Sequence, residues 1–415
     1  MQHREPPTDP FVRQLVSMMN SGHSRRSALK LGGAAALAAA LSACAPPAPP
    51  LATGSAAAPA PVLPVDVSAT EKTVNFANWT AYLDYDEDTK KYPTLEAFMK
   101  KTGIKVAYTE DVDDNDTYFN KIAPQLRAKQ DIKRDIFTFT DWMANRVIRE
   151  QLAQPLEIFD MPNVASNLLP SLRQVSFDPG RKYSVPWQGG FAGIGYHKKK
   201  VGRELKTMDD LWADDLKGKI TVLSEFRDTA GLLMQAKGID LAGNWGKADL
   251  ETAFAEVSKR IADGNIRRVK GNAYLEDLKS GNATAGVVWS GDLFVLRAET
   301  GDDDWEFVIP ESGGTIWNDN MLVPITSTHR KNAMQVMDYY YDPAVAAQVA
   351  AWVNYVCPVK GAQEELAKTD EELAASPFIF PTDAYLTEKK IQGFRALSAE
   401  EEAEYGALWA KVIGN

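Results

Sequence analysis

Thr73-Val74-Asn75-Phe76-Ala77-Asn78-Trp79 reads as a β-strand, and the segments after it decide the fold. The pattern from Tyr92 to Thr102 predicts a helix. Leu95, Phe98 and Met99 share one face, Thr94 stands where a capping hydroxyl is wanted, and Gly103 follows the last turn. Ile104-Lys105-Val106-Ala107-Tyr108 is the next strand. A helix over Tyr118 to Ala128 leads to another, Asp135-Ile136-Phe137-Thr138-Phe139. Strand–helix–strand alternation predicts an α/β sheet with parallel pairs.

A second α/β block follows Tyr196. It has a short helix at Thr207 to Trp212, a strand at Lys219 to Leu223, helices at Thr229 to Lys237 and Leu250 to Ala262, and a buried strand at Ala285 to Trp289. Tyr183 to Tyr196 and Gly314 to Pro324 read as extended segments that pass from one domain to the other. Ser398 and Glu401 form a capping box for a helix running to Ile413.

Towards the start of the chain, Ser24-Arg25-Arg26-Ser27-Ala28-Leu29-Lys30 precedes an Ala-rich apolar run from Leu31 to Leu41. The arginine pair reads as a twin-arginine export signal. The run is too short to span a bilayer, which takes about 20 residues. Leu41-Ser42-Ala43-Cys44 resembles a bacterial lipoprotein box, which makes Cys44 the lipidated first residue after cleavage. Residues 1–43 are then the signal and 44–70 an Ala/Pro-rich tether. These readings place the protein on the periplasmic or extracellular face of the cytoplasmic membrane, held there only by lipid. Cys357 is the one other cysteine, so no internal disulfide forms, and it reads as a small buried apolar residue.

Composition excludes several classes. A chain of 415 residues suggests two or three domains. With 46 basic against 56 acidic residues the net charge is −10, a poor match to nucleic acid. The signal removes Arg4, Arg13, Arg25, Arg26 and Lys30 against Glu5 and Asp9, which leaves the remainder more acidic still. Four histidines and two cysteines do not build a Cys/His zinc framework. No phosphate-loop, zincin, nucleophile-elbow or dinucleotide fingerprint is present. No cofactor or metal is expected.

Ligands of α/β sheets bind beyond strand ends. Here those positions are aromatic: Trp79-Thr80-Ala81-Tyr82, Thr140-Asp141-Trp142 and Trp289-Ser290. Trp317-Asn318-Asp319 lies in the second extended crossover, and Tyr355 follows a helical run. Glu225 and Asp228 come directly after the strand ending at Leu223. Ring faces with carboxylates suit an organic cation. A cation–π contact contributes about 0.5–2 kcal/mol and a charge-assisted hydrogen bond about 1.5–3 kcal/mol.

From about Val74 to about Leu397 the chain resembles the periplasmic spermidine/putrescine-binding proteins of polyamine ABC transporters. The specific matches are the NWTAY of Asn78 to Tyr82 and the WND of Trp317 to Asp319. Val185-Pro186-Trp187 and Val288-Trp289-Ser290-Gly291 also match, while TGIKV at Thr102 to Val106 and KGKI at Lys217 to Ile220 are widely shared. The resemblance implies a ligand box. Trp79, Thr80 and Tyr82 would form the first wall, and Thr140 and Trp142 would close the same side. Glu225 and Asp228 would hold one amine end. Trp289 and Trp317 would sandwich the methylene chain, Asp319 would bind the inner ammonium, and Tyr355 and Gln392 would complete the box. It also implies a two-lobed periplasmic-binding-protein-like α/β fold with discontinuous domains and a hinge. Lobe 1 would be 71–190 and 320–361, and lobe 2 would be 191–319 and 362–415, with crossovers near Gly189-Gly190, Asp319-Asn320 and Gly361. The implied partners are a polyamine and the permease and ATPase of an ABC importer, with the binding protein itself monomeric.

Two other ligands fit the same fold. Arg227, between Glu225 and Asp228, could meet the carboxylate of a γ-amino acid or opine. Tyr339-Tyr340-Tyr341 could serve a ferric ion, although Asn332 to Tyr341 reads as an amphipathic helix. An extracellular hydrolase is the least supported reading. His197 and His329 look like solvent-exposed strand ends, with no Ser or Cys placed as nucleophile.

Overall fold

The computed structural model describes residues 62–414; the expected signal, Cys44 and most of the tether lie outside them. The end of that tether is already part of the fold. Asp66 accepts from the backbone of Ser68 and Lys331, and the Val67 N–H donates to the Thr328 carbonyl.

The first block runs β1 (Thr73–Trp79), α1 (Pro93–Thr102), β2 (Lys105–Val112), α2 (Asn115–Arg127), β3 (Ile136–Thr140) and α3 (Asp141–Arg149). The long β4 (Ser184–His197) leads to β5 (Ile220–Leu223), α4 (Phe226–Ala236), α5 (Lys247–Ala262), β6 (Ile266–Lys270), α6 (Tyr274–Lys279), β7 (Ala285–Trp289), α7 (Ser290–Thr300) and β8 (Trp305–Val308). Then come β9 (Thr315–Leu322), α8 (Arg330–Tyr339), α9 (Pro343–Val353), β10 (Gln392–Gly393) and α10 (Ala399–Ile413).

These strands order as β2-β1-β3-β9-β4-β7-β5-β6, with β8 beside β4 and β10 beside β9. The outer thirds are parallel. The centre is antiparallel, because β9 runs against both β3 and β4, and β4 runs against β7. The two central strands join two α/β lobes. Residues 184–192 of β4 pair with β9, and residues 192–196 pair with β7. The ladder slips at Asp319. Asn318 faces Gly189 but Asn320 faces Pro186, so β4 holds one extra residue there. Such a bulge bends a strand and re-aims its side chains, often beside a binding site.

Local chemistry explains the elements and the departures from expectation. Gly103 ends α1 in the left-handed region at φ 73°, and Pro93 opens it. Thr94 does not cap that helix; buried inside its first turn, it donates to Asp84. The Ser398/Glu401 capping box of α10 forms as expected. Helix α4 starts three residues earlier than its apolar pattern suggests. Glu225 becomes its N-cap residue, and the Thr229 hydroxyl donates to the Leu223 carbonyl rather than capping. That shift brings Arg227 and Asp228 into the first turn.

The histidines are not exposed strand ends. His197 is only 4% exposed and pairs with Asp302 at 3.0 Å. His329 is half-buried between Asp135 and Glu71. Tyr340 and Tyr341 are core residues, and the Tyr341 hydroxyl donates to the Pro186 carbonyl at 2.7 Å. Burial pushes the Cys357 thiol up to about 12, so it is a neutral packing group.

Candidate functional site

Three helix N-termini meet at one cavity. Each follows a strand directly: β3 leads into α3, β5 into α4 and β7 into α7. Each carries an aspartate in its first turn, at Asp141, Asp228 and Asp292. The positive end of a helix dipole favours a carboxylate there. The cavity holds about 340 Å³.

Eleven of the twelve residues proposed from the sequence line this cavity: Trp79, Thr80, Tyr82, Thr140, Trp142, Glu225, Asp228, Trp289, Trp317, Asp319 and Tyr355. Gln392 does not. Its side-chain oxygen accepts the Leu241 N–H at 2.8 Å, and the same segment reaches the cavity through Phe394 and Arg395 instead. The C-terminal chain joins the sheet through β10, and pairing with Thr315 fixes Gln392 in place.

The rings form a continuous wall. Trp79 meets Trp289 edge-on at 6.0 Å, Trp289 meets Trp317 at 6.3 Å, Trp317 meets Tyr355 at 5.5 Å, and Tyr355 meets Tyr82 at 5.2 Å. Two glycines make room for it. A β-carbon on Gly190 would lie 2.6 Å from Trp317 Cζ2 and 2.8 Å from Tyr355 Cδ1, and one on Gly291 would overlap the Tyr355 ring. The indole nitrogens of Trp79, Trp142 and Trp317 are buried without a partner among the described residues. They are donors left for a ligand or for water.

Each carboxylate is held in a different way. Asp228 receives the Trp289 indole N–H and the Thr315 hydroxyl, both at 2.8 Å. Asp292 receives the Tyr355 hydroxyl at 2.7 Å and the Tyr274 hydroxyl at 2.8 Å. Glu225 pairs with Arg227 at 3.3 Å, and Asn115 lies 3.4 Å from its other oxygen. Asp319 accepts the Thr140 hydroxyl on Oδ1 at 2.7 Å, and the Tyr82 hydroxyl faces the same carboxyl group. Burial pushes Asp228 and Asp292 up to about 6 and Asp319 up to about 7, despite the hydroxyl and indole donors that oppose the shift. Burial also raises Glu225, against the pull of Arg227. Buried acids without a countercharge are a high-energy arrangement that a cation relieves.

Sequence reasoning missed Asp292, Asn115 and Asn272. The signal for Asp292 was present in Trp289-Ser290-Gly291-Asp292, a strand end followed by an acid at the third helical position, as in Glu225 to Asp228. Neither His197 nor His329 lines the cavity, nor do Tyr339, Tyr340 and Tyr341, so neither a hydrolase site nor a tyrosinate iron site is assembled there. His197, Asp302 and Asp304 bring possible ligand atoms within 4.8 Å of one another at the far end of β4, where Lys199 already pairs with Asp304.

Comparison with known proteins agrees with this architecture. The chain is 26% identical over 311 residues to the spermidine/putrescine-binding periplasmic protein of Escherichia coli, covering 74% of this chain and 83% of that one. It is 26% identical over 332 residues to the putrescine-binding periplasmic protein of the same organism, covering 76% and 85%. A solved structure of a spermidine/putrescine ABC transporter protein from Listeria monocytogenes superposes with a TM-score of 0.70 at 26% identity, over 82% of this chain and 99% of that one. Both of these relatives are named as binding proteins and not as enzymes. The family model described as bacterial extracellular solute-binding protein matches residues 94–378, most of the chain, and the protein belongs to that family.

Proposed function

We propose that this protein captures a polyamine of the putrescine/spermidine class between its lobes and delivers it to the permease and ATPase of an ABC importer. The observation that carries this reading is Asp319. It is a buried carboxylate with no countercharge beside it, held by the Thr140 hydroxyl and set against a wall of five linked aromatic rings. An ammonium there gains a charge-assisted bond while its methylenes lie along Trp289 and Trp317. A few such contacts exceed the roughly 8 kcal/mol of micromolar binding, leaving a margin for association and desolvation costs. The relatives whose names include spermidine and putrescine support the same ligand class.

In this reading the lobes are 71–190 with 320–361 and 191–319 with 362–415. The crossing strands β4 and β9 support the boundaries near 190 and 319. Closure of the lobes is the state the permease would read, by differential affinity rather than chemistry. The protein acts as a monomer outside the cytoplasm, after twin-arginine export and anchored through lipid on Cys44. A γ-amino acid or opine is the second reading, because Arg227 and Arg395 also line the cavity. Each is already paired with a glutamate, Glu225 and Glu401 respectively, which favours the amine.

Calorimetry with putrescine, cadaverine, spermidine, spermine and γ-aminobutyrate tests the proposal. Micromolar or tighter binding of at least one polyamine, with γ-aminobutyrate much weaker, is expected. Binding of γ-aminobutyrate alone would overturn it. Labelling with radioactive palmitate, present in the intact protein and absent from Cys44→Ser, tests the anchor.

A further inference from the structure

The Glu225 end of the cavity already holds a cation. The Arg227 guanidinium lies 3.8 Å above the Trp142 ring, 4.4 Å from the Phe226 ring and 3.3 Å from Glu225 Oε1. Its side chain is 8% exposed and that of Glu225 12%. An aromatic face and a carboxylate are what a terminal ammonium would otherwise use. Arg227 also forms a dividing wall. Beyond it lies a second groove of about 620 Å³ that shares Trp142, Arg227 and Glu402 with the first cavity. That groove is lined by Asp113, Asp114 and Asp116, with Arg146 and Lys270 as the opposing charges.

We propose that Arg227 is the length gate of this site: its guanidinium occupies the cation subsite between Trp142 and Glu225, so the slot takes a short diamine and excludes a longer triamine from the acidic groove behind it. This rests on the amine-capture reading above. One ammonium pairs with Asp319 and the second stops short of Glu225, whose charge Arg227 already meets. Without the guanidinium, the Trp142 face and Glu225 become available, and a longer amine reaches towards Asp114 and Asp116.

The test is calorimetry on the intact wild-type protein and on Arg227→Met and Arg227→Lys, with putrescine, spermidine and γ-aminobutyrate. The wild type should favour putrescine over spermidine at least tenfold. Arg227→Met should raise the spermidine-to-putrescine affinity ratio at least tenfold. Arg227→Lys, which keeps a cation but not the planar stack, should raise it less, and it remains informative should the methionine variant misfold. An unchanged ratio in a cooperatively melting variant, with both amines still bound, would overturn the gate while leaving amine capture intact. A wild type that already prefers spermidine would do the same. Preference for γ-aminobutyrate, lost in Arg227→Met, would overturn both and make Arg227 a carboxylate receptor.

Discussion

The Trp289 indole N–H donates to Asp228 Oδ2 at 2.8 Å, joining the last residue of β7 to the first turn of α4. Ring and acid are therefore one unit. The bond orients the indole face towards the cavity, and it keeps Asp228 partly satisfied when no ligand is present. Asp319 takes one short hydroxyl bond, from Thr140, with the Tyr82 hydroxyl less closely placed, so the two acids should differ in how much they contribute to binding.

Asp319→Asn should weaken polyamine binding by at least about 1.5 kcal/mol, roughly tenfold, through loss of a charge-assisted bond. The amide keeps an acceptor for Thr140, and removing a buried charge should not lower the melting temperature of the ligand-free protein. Calorimetry and thermal melting of the same sample measure both. Unchanged affinity would remove Asp319 from the site.

The two central tryptophans should separate. Trp289 is 8% exposed and bonded to Asp228, so Trp289→Ala is expected to destabilise the fold by about 3–5 kcal/mol as well as abolish binding. Trp317 is half-buried with a partnerless indole nitrogen. Trp317→Ala should weaken binding with a much smaller fall in melting temperature. Trp289→Phe, which keeps a ring and removes the N–H, should retain more stability than the alanine variant. Equal melting temperatures for the two alanine variants would contradict this division.

Acidity should couple to both stability and affinity. Asp228, Asp292 and Asp319 are raised by burial from 3.8 to about 6, 6 and 7. Between the unfolded and folded values the native state holds more protons than the unfolded chain. Their contribution to stability is therefore complete below about pH 4 and is lost as pH rises through 6 to 7. Other groups aside, the ligand-free protein should melt lower at pH 8 than at pH 5. A cationic ligand prefers the ionised acids, so affinity should move the opposite way and strengthen from pH 5 to pH 8. Binding should release protons, seen as calorimetric heats that vary with the ionisation enthalpy of the buffer. Heats independent of buffer at pH 6.5 would show that these acids are already ionised.

Gly190→Ala should disturb the ring wall from behind. The added carbon would sit inside contact distance of both Trp317 and Tyr355, two rings that line the cavity. An affinity loss of tenfold or more is expected, with changed tryptophan fluorescence in the ligand-free state. Gly246→Ala, which meets nothing within 4 Å, is the control and should leave binding as it was.

Much of the site was legible because its residues follow strand ends. Trp79, Thr140, Glu225 and Trp289 each stand at or just after the last residue of a strand, and periodicity locates strand ends well. Arg227 and Asp292 were harder to interpret. Whether they face the cavity depends on where α4 and α7 begin, and helix starts shift by a residue or two with tertiary contacts. Gln392 lies away from the cavity for a related reason. Its segment carries no strong pattern, and pairing with Thr315 decides where its amide points.

The alternation of strands and helices, the two glycine-bearing crossovers and the aromatic and acidic residues beyond the strands are local features, and the sequence alone established them. Only the folded chain decided which charges are already met. Arg227 is one residue from Asp228 in sequence, yet it stacks on Trp142, 85 positions earlier, and neutralises Glu225. Countercharge, burial and the bulge at Asp319 arise from contacts between distant segments, and these fix the pKa values and the length of the slot.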